Sequence, residues 1–329
     1  MSPSANNTTA AQLYMGHLER ALLSTLTSVP CGVFLFVNAT MLFTLRSKAV
    51  FRDTSRYVLL FNLLVTDTVH IAVSQVLYLI ASSHVLLTYP VCGVFNMLAK
   101  LTNEVSPLTL VAMSLERYVA VCFPFRHAAL TGPRNTAAAI LAVWLFSSMN
   151  ILTRVLLLLD FPFQQLDSLW MTEFCSDFAM MVGPVSAQYD RAYTCSLFVL
   201  AAVSIFASYV GVATAARSAS TDRESVARIR TTLLLHLVQL GLSLSSTVYL
   251  SVLVLLFTAY SRLMFIRLQN VLYVLIFIFP RCLSSLIYGI RDQTIRLALV
   301  QNLWCFKNSQ NQRLRKNRVH HWFNNDLLS

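Results

Sequence analysis

The chain has 329 residues, of which 56% are hydrophobic and 12% charged. An ordinary soluble domain carries about 25% charged residues, so these are too few to wrap a core of this size, and a water-soluble globule is excluded. Eight Gly and nine Pro exclude a fibrous or disordered chain, and seven Cys allow one bridge rather than a disulfide framework. A net charge of +11 suits lipid head groups as well as nucleic acid. What remains is a membrane protein.

A helix crossing roughly 30 Å of hydrocarbon needs about 20 mostly apolar residues. Residues 1–20 lack the charged-then-apolar pattern of a signal peptide, so the first span serves as the insertion signal. They contain Asn6-Asn7-Thr8-Thr9, two overlapping glycosylation sequons at Asn6 and Asn7. The first span is Ala21–Leu45, which is uncharged and contains Asn38, and the second is Tyr57–Ser82, with Asp67 in its middle. The third, Cys92–Cys122, carries Lys100, Asn103, Glu104 and Ser106, and ends in Glu116-Arg117-Tyr118. Thr136–Leu159 is the fourth, with Trp144, and Ala192–Ala216 the fifth, again uncharged, with Tyr209. Thr231–Thr258, with Tyr249, is the sixth; Leu268–Ile290, with Gln269, Tyr273, Arg281, Ser284 and Tyr288, is the seventh. Their length and scarcity of Gly favour helices over barrel strands. The expected architecture is an all-α seven-helix bundle over residues 21–290, between an N-terminal segment 1–20 and a tail 291–329.

The tail begins with Asp292–Leu303, whose Ile295, Leu297, Ala298 and Leu299 alternate with polar residues as in a short helix lying on a membrane surface. Cys305 is a palmitoylation candidate or an unmodified thiol. Arg313, Arg315, Lys316 and Arg318 suit anionic lipids, each charge contributing about 1 kcal/mol, which removes the argument for nucleic acid. Most of the 25 Lys and Arg fall on the side of this tail, so the N-terminus is expected outside and the C-terminus inside.

An acid beside an arginine at a membrane boundary is costly unless it is used. Seven spans ending the third in Glu116-Arg117-Tyr118 resemble a rhodopsin-like G-protein-coupled receptor. Asn38, Asn62-Leu63-Leu64-Val65-Thr66-Asp67, Cys92, Trp144 and Cys175 stand at the spacing of that family. Within it, Met113-Ser114-Leu115-Glu116-Arg117-Tyr118-Val119-Ala120-Val121-Cys122-Phe123-Pro124-Phe125-Arg126-His127 and Leu286-Ile287-Tyr288-Gly289-Ile290-Arg291-Asp292 resemble odorant receptors, most closely those of fish. The chain departs from the pattern in two places. Ser284-Ser285 replace the usual Asn-Pro before Leu286-Ile287-Tyr288, with Pro280 nearby instead, and the sixth span has no Pro. A different pivot for helix movement is expected.

The resemblance implies a disulfide between Cys92 and Cys175, which an oxidising outer face permits. It also implies that Glu116 holds Arg117 at rest, that Arg117 is released toward a G protein, and that Tyr118, Tyr209 and Tyr288 flank the switch. Related receptors often hold sodium at the position of Asp67, with polar help that Ser106 and Ser284 could give. Arg281 lies at nearly the same depth, so either it pairs with Asp67 in place of the ion or it faces elsewhere. Lys100 and Glu104, four residues apart, share a helix face and can neutralise one another; they either line a ligand pocket or close a polar patch. Asn103, Tyr249, Gln269 and Tyr273 complete the pocket candidates. Asp160, Asp167, Glu173, Asp177 and Asp190, in the connection before the fifth span, read as a solvated acidic loop.

No metal cluster, nucleophile-base arrangement or phosphate loop stands out in the sequence, so an enzyme is not expected, nor a cofactor. The expected partners are a small-molecule odorant, a heterotrimeric G protein and membrane lipids. The alternatives are a non-olfactory receptor of the same fold for a peptide or other endogenous signal, and a transporter or channel. The latter would want internal symmetry and a polar track through the bilayer.

Overall fold

The computed structural model describes residues 17–83, 85–159, 184–219 and 249–302, with isolated positions within 170–180 and 234–242. Asn6, Asn7 and Cys305, much of the sixth span before Tyr249, and the side chain of Ser284 lie outside the described residues. The first span is His17–Ser47, the second Ser55–Ser82, the third Tyr89–Cys122, the fourth Pro133–Leu159 and the fifth Pro184–Ala219. Of the sixth, Tyr249–Ala259 is described; the seventh comprises Arg262–Leu272, a wide π-helical turn at Tyr273–Ile278, and Phe279–Arg291. Among the described residues, six helices are long and apolar enough to cross a membrane. One boundary moves with consequence. The fifth helix starts at Pro184 rather than Ala192, so Asp190 belongs to a membrane helix and not to an acidic loop.

The bundle turns its apolar side chains outward. Leu22, Leu26, Val29, Val33 and Phe36 form an exposed stripe at helical spacing on the first helix, and Leu145, Met149, Leu152 and Leu156 do so on the fourth. Facing inward are Asn38, Asp67, His70, Glu104, Asn150, Arg154, Asp190 and Arg281, all buried. Lipid rewards that arrangement, since polar groups are satisfied only by one another. Asn62 joins three helices, donating to Thr109 Oγ1 at 2.9 Å and accepting from Trp144 Nε1 at 3.0 Å.

At one end, Cys92 is disulfide-bonded to Cys175 and packs with Met171 and Met180. Met171 N also donates to Leu87 O at 3.0 Å, fixing the loop over the start of the third helix. Glu19 and Arg267 tie the first and seventh helices at the same end, 2.6 Å apart. At the opposite, basic end, Met41, Leu60, Leu63, Leu110, Met113, Tyr288 and Ile295 share one core.

Residues 293–302 are helical, and Asp292 caps them, accepting from Thr294 N at 3.0 Å and Ile295 N at 3.2 Å. The same carboxylate pairs with Arg56 and accepts from Tyr57 Oη at 3.0 Å. Ile295 and Ala298 point into the bundle while Leu297 and Val300 stay exposed. Asp292→Asn keeps the cap and loses the charge pair, whereas Asp292→Ala loses both. We therefore expect the Ala variant to be the less stable of the two by about 1 kcal/mol, read as a lower midpoint in detergent unfolding.

Candidate functional site

The deepest polar group is built from the second, third and seventh helices. Arg281 Nη1 donates to Asp67 Oδ1 at 2.7 Å, Ser106 Oγ donates to the same oxygen at 2.6 Å, and Arg281 Nη2 donates to Asn103 Oδ1 at 2.7 Å. The ion pair is shut from solvent, with side-chain exposures of 2% and 4%. Arg281 also sits 5.3 Å from the centre of the Phe277 ring. One turn further along the seventh helix, Ser285 hydrogen-bonds Asn38 Oδ1, and Asn38 Nδ2 donates to Thr68 Oγ1 at 2.9 Å. Asn103, a pocket candidate by sequence, is thus committed to Arg281.

Pro280 explains why the seventh helix can do this. It has no N–H and would clash with the carbonyl four residues earlier, so a regular α-turn is unavailable there. The chain widens into the turn Tyr273–Ile278 just before it, which turns Tyr273, Phe277, Ile278 and Arg281 inward. This irregularity precedes Ser284-Ser285, which stand where the resemblance would put Asn-Pro.

Nearer the disulfide end, the charge of Lys100 acts on Glu104, in line with the expectation from their spacing, and both also take partners from other helices. Lys100 Nζ bonds Asp190 Oδ1 at 2.9 Å, and Glu104 Oε1 accepts from Asn150 Nδ2 at 2.6 Å and faces Arg154 Nη2 at 3.4 Å. Arg154 also pairs with Asp190 and lies over the rings of Tyr189 and Tyr193, 5.8 and 5.6 Å from their centres. Tyr189 Oη closes the group on Asn150 Oδ1 at 2.7 Å. Asp190, Arg154 and Asn150 were missed as site residues. Arg154 reads as a boundary residue and Asp190 as loop, although Asn150 and Arg154, four apart in an apolar helix, were a signal of an inward polar face.

Tyr249 and Tyr273 belong to an aromatic group. Tyr273 stacks on Phe277 at 5.0 Å and on Tyr78 at 6.0 Å, and Tyr249 lies 5.6 Å from Phe277. Tyr249 Oη reaches Gln269 O at 3.4 Å, and Tyr78 Oη donates to Asn270 Oδ1 at 2.7 Å.

At the basic end, Glu116 is engaged by His127 Nε2 at 3.4 Å, not by Arg117. Successive helical residues point about 100° apart, so neighbours on one helix do not face each other. The short helix Pro124–Leu130 instead folds His127 back to the carboxylate. Arg117 is half-buried and makes no hydrogen bond or ion pair among those described. Tyr118 packs on Gly211 of the fifth helix, where a Cβ would stand 2.4 Å from its ring, so only glycine allows this approach. Tyr209 is half-buried and Tyr288 buried in the basic-end core.

Seven predicted spans, the disulfide from the third helix to the loop, and the acid-Arg-Tyr end of that helix coincide with a match of residues 37–302 to the 7 transmembrane receptors (rhodopsin family). The chain belongs to the rhodopsin family of receptors. Among family members it is similar to odorant receptor 131-2 of Danio rerio, 32% identical over 83% of each chain. Olfactory receptor 2AE1 of Homo sapiens is 26% identical over 48% of this chain and 50% of its own. A shorter likeness, 44% identical over 59 residues, joins it to galanin receptor type 3 of Homo sapiens, covering 18% of this chain and 16% of that one. In this rhodopsin-family receptor the third helix contributes to the Asn62, Asp67–Arg281, Lys100–Glu104–Arg154–Asp190 and Glu116–His127 groups.

Proposed function

We propose that this receptor is of the odorant type: it binds a small organic ligand from outside the cell and activates a heterotrimeric G protein within. The single observation that carries this reading is similarity to an odorant receptor across 83% of the chain. Arg117 supports it, since a cation without a described partner at the basic end is available to an inserted G-protein segment. Glu116 and Tyr118 position that helix end, and Tyr209 and Tyr288 offer hydroxyls from the fifth and seventh helices. The N-terminus lies outside with glycans at Asn6 or Asn7, and the basic tail lies at the inner leaflet of the plasma membrane, with Cys305 its acylation site. Asp67 and Arg281 satisfy one another where relatives hold sodium. Ligand acts by its differential affinity for the state with an open cytoplasmic cleft.

The test is a panel of small organic compounds applied to cells expressing the chain with an olfactory G protein. The expected result is a cAMP rise that cells without the chain do not give. A ligand-evoked current that needs no G protein would establish a channel instead.

A further inference from the structure

The group formed by Lys100, Glu104, Arg154 and Asp190 holds two cations and two anions, about two helical turns below the disulfide. Burying four charges between membrane helices is expensive, and a merely structural tie between them could be made from hydrogen-bonded neutral groups. The partnering is also uneven. Asp190 Oδ1 serves both Lys100 and Arg154, whereas Glu104 uses Oε1 alone. Glu104 Oε2 is buried and takes part in none of these bonds, and the Tyr193 hydroxyl lies against the Glu104 carboxylate and interacts with it. Lys100 is the most exposed of the four, at 15%.

We propose that this cluster is the recognition site for a zwitterion, a molecule bearing a carboxylate and an ammonium on one carbon in the manner of an α-amino acid. The proposal rests on the reading of the chain as a small-ligand receptor and names the ligand class. Lys100 turns from Asp190 to the ligand carboxylate, and Asp190 keeps Arg154, so no protein charge is orphaned. The ligand ammonium, with three N–H donors, takes Glu104 Oε2 and the Tyr193 oxygen. Lys100 and Glu104 present their opposite charges about 5–6 Å apart at Cβ on one face of the third helix, a spacing that a dipolar ligand can bridge. A simple carboxylate would leave the cluster with a net negative charge and a simple amine with a net positive one. An uncharged ligand would leave Oε2 unfilled. The rings of Tyr189 and Tyr193, stacked at 6.1 Å, form a wall for the ligand's remaining atoms.

The full-length receptor, purified into lipid nanodiscs, is tested by thermal shift against the twenty L-α-amino acids. Each is compared with its decarboxylated amine and its deaminated carboxylic acid. The expected result is stabilisation by at least one amino acid at concentrations where its amine and its acid give no shift. Lys100→Met and Glu104→Gln should each raise the half-saturating concentration by roughly tenfold or more, and Lys100→Arg by much less. Should a variant fail to fold, the comparison of zwitterion, amine and acid on the unaltered receptor decides. The proposal is overturned if no amino acid shifts the midpoint, if an amine or acid does as well, or if both variants bind unchanged. Because the readout needs no G protein, binding without a cAMP response would count against the odorant-receptor reading alone. A cAMP response to uncharged compounds but not to amino acids would count against this inference alone.

Discussion

Reversing Asp67 to Arg, or Arg281 to Asp, removes the receptor from the cell surface, and making both changes together restores a large part of it. Each single reversal puts two like charges within hydrogen-bond distance in a site closed to water. Breaking a buried pair costs about 3–5 kcal/mol even before the repulsion is counted, against a total stability on the order of 5–15 kcal/mol. The exchange is tolerated because the neighbours are adaptable. Ser106 can donate or accept, and the amide of Asn103 can rotate to offer N–H groups to a carboxylate at 281. Surface staining of an N-terminal epitope measures the effect. If the double exchange expresses no better than either single one, the two charges act independently. The same geometry predicts a ligand response that is unchanged when sodium is replaced by a large organic cation, since a guanidinium already holds the Asp67 oxygen.

Arg117→Ala abolishes ligand-stimulated cAMP while surface staining persists. The two readouts separate because Arg117 is half-buried and has no described internal partner, so its removal strands no buried charge. Glu116→Gln has the smaller effect on signalling, because the carboxylate is held by a half-exposed histidine rather than by Arg117. An Arg117→Ala receptor with a normal dose-response curve would show that the acid-Arg-Tyr segment only anchors the helix end.

The fold was legible because lipid imposes a single strong rule: a run of about 20 apolar residues must be a helix, and charges mark its ends. Asp67 and Arg281 stood out for the same reason, as two opposite charges in mid-span. What the pattern hid was partnering across helices. Lys100 and Glu104 satisfy the intrahelical rule, yet Asp190 and Arg154 also approach them, from the fifth and fourth helices. Asp190 was concealed by hydropathy itself, because an acid and Arg191 interrupt the apolar run and displace the apparent start of the helix. His127 was hidden by the chain reversal at Phe123-Pro124, which no periodicity records. Gly211 gave no signal at all, since its role is to leave room for a ring that comes from another helix.

The widened turn at Tyr273–Ile278 has a mechanical consequence. A π turn holds one residue more than an α turn, so the stretches of the seventh helix before and after it are out of phase by about 100°. A turn of ordinary pitch there would rotate the Gln269–Asn270 stretch relative to Arg281 by that angle. The turn therefore sets the phase between the Tyr78–Asn270 contact at one end of the helix and the Asp67–Arg281 pair at the other.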